Sequence, residues 1–587
     1  MAEDYTQPTP TRQRHFAGVI LLEIRASRAM VAAMRNHMVV GLLAGLSAGL
    51  ALAGELPDVA AAIPEPVKAL GKPALMEFPG GMKMAVTAAT DEAQAYCNQG
   101  LNHLHGGWEF EASRNFAAAM HEDPECLLAH WGMIMCLLNS TPETGPARNA
   151  ATDRLLYLVD QGKGTELERG YAYGLMKYIE NGPAGGSAAF RKVASNFPND
   201  MQAALFAALF GRGGFDESGE ATPDQLEAEK CLLEIIAKNP QSPVPLNALL
   251  VIRAEGSDLT GSLELARKLT RMVPEYAPFL HLLGHYEWRC GHHMAAAETF
   301  ARAATAYQAW MKRDNVGIAD CPEWAKAECY RIVALAAKGD FESASAAAAK
   351  VAATPMPAKR SASPGSRLLQ WDAKTLPARL LIAQGKHGYA AEALRSLPKP
   401  DEMKDLHKHS LAYWWLDGLR LYLEAQRLIE AKDLAGARDV VTALTQHGES
   451  MAATQKDAVI RGERSPWNRA FRALEVLASD VRGRLAMAGP ENSRGIAYNW
   501  FSSATDRQHP SPMLCPPMVL TPMAIRLGEF HLADHKPADA IEAYQRALAS
   551  FPNDLFALAG LKRAYEAADN PTEAAAVSKK IQDLKAE

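Results

Sequence analysis

The sequence has no pair of cysteines spaced C-x-x-C. Zinc ribbons, thioredoxin-type redox motifs and C-x-x-C-H haem attachment therefore lack their ligands. There is no excess of positive charge either: 62 Lys and Arg against 67 Asp and Glu leave a net charge of -5. A chain with that balance has no basic footprint for nucleic acid, and no nucleic-acid partner is expected. Phosphate loops are absent too, because Gly211-Arg212-Gly213-Gly214 is not followed by lysine and does not follow a strand. No complete catalytic constellation is found, so the expectation is a non-enzyme without a cofactor. The eight cysteines are irregularly spaced and read as small apolar residues between helices, with Cys321 and Cys329 able to pair in an oxidising compartment.

What is present is alanine, in long runs free of β-branched residues, which favours helix. At 587 residues the chain exceeds one ordinary globular core, whereas a repeat array can keep growing. Near the N-terminus, Met38 to Ala53 is apolar, preceded by Arg35, and ends in Ala51-Leu52-Ala53 before Gly54-Glu55. This is the order of a secretory signal peptide, and the run falls short of the ~20 residues of a membrane span. Residues 1–53 are thus expected to be an N-terminal extension with a signal, and the mature protein periplasmic or in the cell envelope. Left uncleaved, 38–53 would associate the chain with a membrane. Five prolines between Pro57 and Pro79, then Gly80-Gly81, exclude helix and predict a linker over 54–90.

Internal periods organise the rest. Tyr96, Gly100, His103, Ala112, Phe116, Ala119 and Pro124 fall at the spacing of a tetratricopeptide repeat. Gly100 and Ala112 let two helices pack closely, Tyr96 and Phe116 fill the space beside them, Gly106-Gly107 turns the chain, and Asp123-Pro124 stops the second helix. Leu527, Gly528, Ala540, Tyr544, Ala547 and Pro552 repeat the pattern, as do Leu280, Gly284, Ala296, Phe300 and Ala303. Weaker copies lie between. One repeat cannot bury its own apolar face, so the copies must stack. The expected fold is all-α: a tetratricopeptide-like solenoid, a right-handed superhelix of antiparallel helix pairs with a concave groove. A Pro/Ser-rich stretch over 352–370 is expected to divide it into lobes at 91–351 and 371–587.

From Ala93 to Ala568 the chain resembles a family of large bacterial tetratricopeptide proteins, most of them uncharacterised. Asn98-Gln99-Gly100-Leu101, Glu111-Ala112, Phe116, Asp123-Pro124, Cys126, Ala129 and Trp131-Gly132 resemble its first repeat. His281, His285, Arg289 and Gly291 resemble its H-M-P-S-H-I-x-x-R-x-G segment, and Pro516-Pro517, Pro522 and Leu527-Gly528 its proline-rich entry to the last repeats. Leu282-Leu283-Gly284 replaces Met-Pro-Ser, and Leu246–Glu255 and Cys329–Leu335 lack the histidines the family tends to carry there. The resemblance brings no activity with it.

A solenoid of this kind implies a scaffold that holds a peptide or partner protein in its groove. Asn98, His281, His285 and Arg289 are the candidate ligand contacts. The alternative is a metal-binding or metal-dependent envelope protein: His281 and His285, four apart, share one helix face and could chelate, with His292, His293 or Glu287 as third ligand. Cys126 with His130 is a second such pair. Tyr413-Trp414-Trp415, Trp288, Trp310 and Trp324 read as core, and His103 as a packing residue.

Overall fold

A computed structural model describes residues 58–216, 219–257, 259–399, 402, 410–455, 464–508 and 516–586. Among them the chain is helical, with one isolated bridge, between Phe215 and Ala221, and no strand. The helices run in antiparallel pairs. In the first pair, Thr90 caps α1 (Asp91–His105) by accepting the Ala93 N–H at 3.1 Å, and α2 (Glu109–Glu122) stops before Pro124. The first helix of the next pair is α3 (Leu127–Cys136). The continuous span α4 (Glu166–Asn196) is itself a pair, broken at Gly182 (φ 70°) just before Pro183, where helix hydrogen bonding cannot continue.

The small residues do what their spacing predicts. The Phe116 ring is fully buried between Gly100 and Gly132: a Cβ on Gly100 would lie 2.8 Å from Phe116 Cε1, and one on Gly132 closer still. A Cβ on Gly284 of α7 (Ala277–Arg289) would lie 3.0 Å from the Phe300 ring of α8 (His293–Asp314). A Cβ on Gly528 of α12 (Ala524–Ala533) would lie 2.5 Å from the Tyr544 ring of α13 (Pro537–Ser550). Gly100→Ala is therefore expected to destabilise by about 1–3 kcal/mol through overpacking, although alanine is the better helix former by ~1 kcal/mol. A urea midpoint that rises in the variant would refute the clash.

First helices of successive pairs touch one another, α1 with α3 and α12 with α14 (Leu555–Ala567), so they line the inner side of the curve. The curve is tight. In its N-terminal part the first pair comes back against the sixth: Arg114 bonds Asp314 at 2.6 Å, Trp310 Nε1 donates to Glu111 at 3.0 Å, and the Trp108 and Trp310 rings stack edge-on at 4.8 Å. Farther along, the array curls again and the turn before α14 returns to the turn between α7 and α8, where Asn553 donates to the Gly291 carbonyl at 3.0 Å.

Two expectations are corrected. The stretch 352–370 is no break in the core. Pro364–Trp371 forms helix α9, Leu368, Leu369 and Trp371 are buried in a cluster that continues to Phe551, and Arg360 bridges Asp320 and Glu143. Nor do residues 58–90 hang free. Ala62, Ile63, Val67, Met82 and Met84 are buried in the N-terminal core. Two short helical turns, Val59–Ala62 and Glu65–Lys68, form there despite the prolines, and over 74–89, which is not helical, side chains of the repeats satisfy the backbone instead. Cys321 and Cys329 are not joined by a disulfide. The apolar run 38–53 lies outside the described residues. Among the described residues no helix is long and apolar enough to cross a membrane.

Candidate peptide-binding groove

The helix α1 reads DEAQAYCNQGLNHLH, and four of its side chains are carboxamides: Gln94, Asn98, Gln99 and Asn102. Gln94, Asn98 and Asn102 recur every four residues and share one face. Against that face lies the non-helical segment Ala74–Ala89. Met82 N–H donates to Asn102 Oδ1 at 2.6 Å, Met84 N–H to Asn98 Oδ1 at 3.0 Å, and Val86 N–H to Gln94 Oε1 at 2.9 Å. The amides answer the carbonyls: Asn102 Nδ2 donates to Met82 O at 3.1 Å and Gln94 Nε2 to Met84 O at 2.8 Å. Four helical residues rise ~6 Å and two extended residues span ~6.6 Å. The two repeats therefore stay in register, with the segment antiparallel to the helix.

Other inner-side residues extend the grip. Gln99 Oε1 accepts from Met76 N–H at 2.7 Å and its Nε2 donates to Ala74 O at 2.9 Å. Glu168 of α4 takes both Thr87 N–H (3.0 Å) and Thr87 Oγ1 (2.8 Å), and Asp123 takes Ala89 N–H at 2.8 Å. Gln202 of α5 (Met201–Gly211) holds His105 Nε2 at 2.8 Å and reaches Met84 Sδ at 3.5 Å. Asn247 of α6 (Pro243–Arg253) holds the His105 carbonyl at 2.7 Å, and Phe78 packs edge-on against Tyr276 and Phe279 at the start of α7. Burial depresses His105 to about 4 and His103 to about 3, so both stay neutral near neutral pH. The segment's main chain is thus held by carboxamide dipoles together with the carboxylates of Glu168 and Asp123.

Of the residues singled out in the sequence, Asn98 belongs to this ladder. His281, His285 and Arg289 lie elsewhere, on α7. His285 is fully buried, with Nδ1 3.2 Å from Tyr330 Oη, and burial pushes its pKa well below the ordinary value, helped by Arg289 and His281. Arg289 donates to the Ala254 and Gly256 carbonyls at 2.7 and 3.0 Å. The His281 ring packs on Phe300 and Tyr330. Among the described residues no three His, Cys, Asp or Glu side chains gather as a metal site, so the His281/His285 pair acquires no third ligand. His130 faces the Pro124 carbonyl at 3.0 Å, and Cys126 lies 3.6 Å from Cys97 rather than forming a pair with His130. Trp415 is core, its Nε1 bonded to Thr375 at 3.0 Å. Sequence reasoning missed Gln94, Gln99, Asn102 and Glu168. The carboxamide stripe at four-residue spacing was the visible signal.

Stacked antiparallel pairs, glycine-on-aromatic contacts and an inner face built by the first helix of each pair define a tetratricopeptide-like helical-repeat solenoid. No family model matches the chain, and no curated protein matches it. Solved structures that resemble it include the human IFIT1 dimer with m7Gppp-AAAA, at 13% identity and TM-score 0.35, covering 85% of this chain and 96% of that one. The Cut9–Hcn1 hetero-tetramer of APC/C follows at 13% identity and TM-score 0.26, with 81% and 90% covered. Yeast Tom70 stands at 11% identity and TM-score 0.25, with 84% and 93% covered.

Proposed function

We propose that the protein is a binding scaffold that holds an extended segment of a partner protein along the inner face of its N-terminal repeats. One observation carries this reading: Gln94, Asn98 and Asn102 bind main-chain N–H and C=O groups at every second residue of an extended chain. A ladder of that kind is indifferent to most side chains and accepts any segment able to lie straight, the mode by which preformed grooves gain affinity from backbone bonds. Asn98→Ala with Asn102→Ala removes three of those bonds, at about 1 kcal/mol each. In a Met82→Asp, Met84→Asp background, where the chain's own segment no longer fills the ladder, proteins with and without the two alanines should differ by about a hundredfold in affinity for peptides bound on an array of unstructured sequences. An unchanged binding pattern at unchanged affinity would sink the reading.

We propose further that the scaffold works outside the cytoplasm, in a periplasm or cell envelope. The support is the charge, apolar run and Ala51-Leu52-Ala53 order at the N-terminus. N-terminal sequencing of the mature protein is expected to start at Gly54, and an unprocessed N-terminus in a cytoplasmic fraction overturns export.

A further inference from the structure

The ladder is occupied by the chain's own residues, and the manner of occupation points to the partner. This inference rests on the scaffold reading above and specifies its ligand. Main-chain bonds to carboxamides carry no side-chain information, so selectivity must come from what is buried between them. Along 82–87, burial alternates: Met82 and Met84 are buried, Lys83, Ala85 and Thr87 exposed, and Val86 is intermediate. Both methionines enter the N-terminal core cluster, and Met84 brings its sulfur to Gln202. An unbranched thioether adapts to an irregular pocket between helices and tolerates exchange of one occupant for another. The residue before the first methionine is constrained as well. A Cβ on Gly81 would sit 2.7 Å from Asn102 Oδ1, the atom that receives the Met82 N–H.

The segment is also lightly held for one that runs through the inside of a solenoid. From Ala74 to Ala89 only Met82 and Met84 have buried side chains, and Leu75 and Met76 are exposed large apolar residues. The remaining attachment is the half-buried Phe78 ring against Tyr276 and Phe279 and a set of individually modest hydrogen bonds to carboxamides and carboxylates. Those groups would bond the main chain of an incoming segment equally well.

We propose that Gly81–Thr87 is a ligand mimic held in cis, and that the protein's partners carry an extended Gly-Met-x-Met segment which enters the groove by displacing it. The pockets of Met82 and Met84 set the two required side chains, and the positions of Lys83 and Ala85 are free to vary. The strap thereby keeps the ladder closed to weaker segments.

The probe is a peptide of residues 80–88, GGMKMAVTA, labelled with fluorescein on the exposed Lys83 side chain, and its serine counterpart GGSKSAVTA. Binding is measured by fluorescence anisotropy to the full chain, to a Met82→Asp, Met84→Asp variant that frees the ladder, and to that variant carrying Asn98→Ala and Asn102→Ala as well. The freed variant, with its helicity retained, is expected to bind the methionine peptide at least tenfold more tightly than the wild type does, and the serine peptide at least tenfold more weakly than the methionine one. A folded freed variant that gains no affinity overturns the proposal. Binding that needs the asparagines but ignores the methionines overturns the proposal and leaves the scaffold reading standing. Binding that survives loss of the asparagines overturns the scaffold reading itself. Should the freed variant not fold, amide exchange of residues 81–87 in the wild type decides: excess methionine peptide should accelerate it severalfold, and unchanged exchange overturns the proposal.

Discussion

Asp480→Ala is expected to lower the stability of the C-terminal repeats by about 3–5 kcal/mol, the cost of leaving buried charges without their partner. Asp480 is fully buried on α11 (Arg464–Ala488) and joins three successive pairs. It accepts Tyr422 Oη at 2.8 Å from α10 (Leu411–Glu430), Arg484 Nε at 3.0 Å from its own helix, and Arg526 Nε at 3.2 Å from α12. Burial alone would push its carboxyl up, but Arg484 and Arg526 outweigh that and hold it below the usual range. Removing the carboxylate leaves two guanidinium groups facing each other and a phenol without an acceptor. Asp480→Asn keeps the shape and loses the charge, so it should fall between wild type and Asp480→Ala. Urea unfolding followed by tryptophan fluorescence measures both. An alanine variant within about 1 kcal/mol of wild type, the ordinary effect of an exposed ion pair, would show that the network is not desolvated.

Arg114→Met should cost a similar amount, about 3–5 kcal/mol, and with a pH dependence of known sign. Arg114 is buried on α2 and bonds Glu111 and Asp314 at 2.6 Å each and the Gly71 carbonyl at 3.2 Å. It therefore ties the first pair to the sixth and to Gly71, ahead of the segment that lies along α1. Burial raises Glu111 to about 7, and Arg114 opposes that rise. A raised carboxyl stabilises the folded state fully below its unfolded value and loses that contribution as pH climbs through the folded one. For Glu111 the window runs from its ordinary value of 4.5 up to about 7. Without Arg114 the carboxyl protonates still more readily, so the penalty of the variant should be largest at pH 8 and shrink toward pH 5. Asp314, held down partly by Arg313, titrates below this window and does not reverse the trend. Thermal unfolding of both proteins at the two pH values tests it, and a penalty that grows on acidification contradicts the assignment.

Both predictions concern contacts between helix pairs, and those that close the array on itself, as Arg114 does, were the features hardest to read from the sequence. Arg114 and Asp314 are 200 residues apart, and Asn553 and Gly291 are 262 apart. Repeat spacing specifies how neighbouring pairs pack, because Gly100, Gly284 and Gly528 each leave room for one aromatic ring on the partner helix. It does not specify the small rotation accumulated at each step, which depends on side-chain volumes at every interface and decides how soon one pair meets another. The same limit affected the histidines. His281 and His285 share a helix face, as their spacing requires, but only the packing of Tyr330 and Phe300 against that face turned them inward.

The sequence by itself determined an all-α repeat array, the glycine and aromatic positions of its pairs and the presence of Asn98 on an inner helix, because these follow from local periodicity and side-chain size. The tertiary structure decided that the proline-rich stretch before α1 is a strap in the groove rather than a linker. Proline and glycine say only that a segment is not helical. Where its backbone groups find partners depends on a carboxamide stripe that becomes a binding surface only when the repeats curve around it.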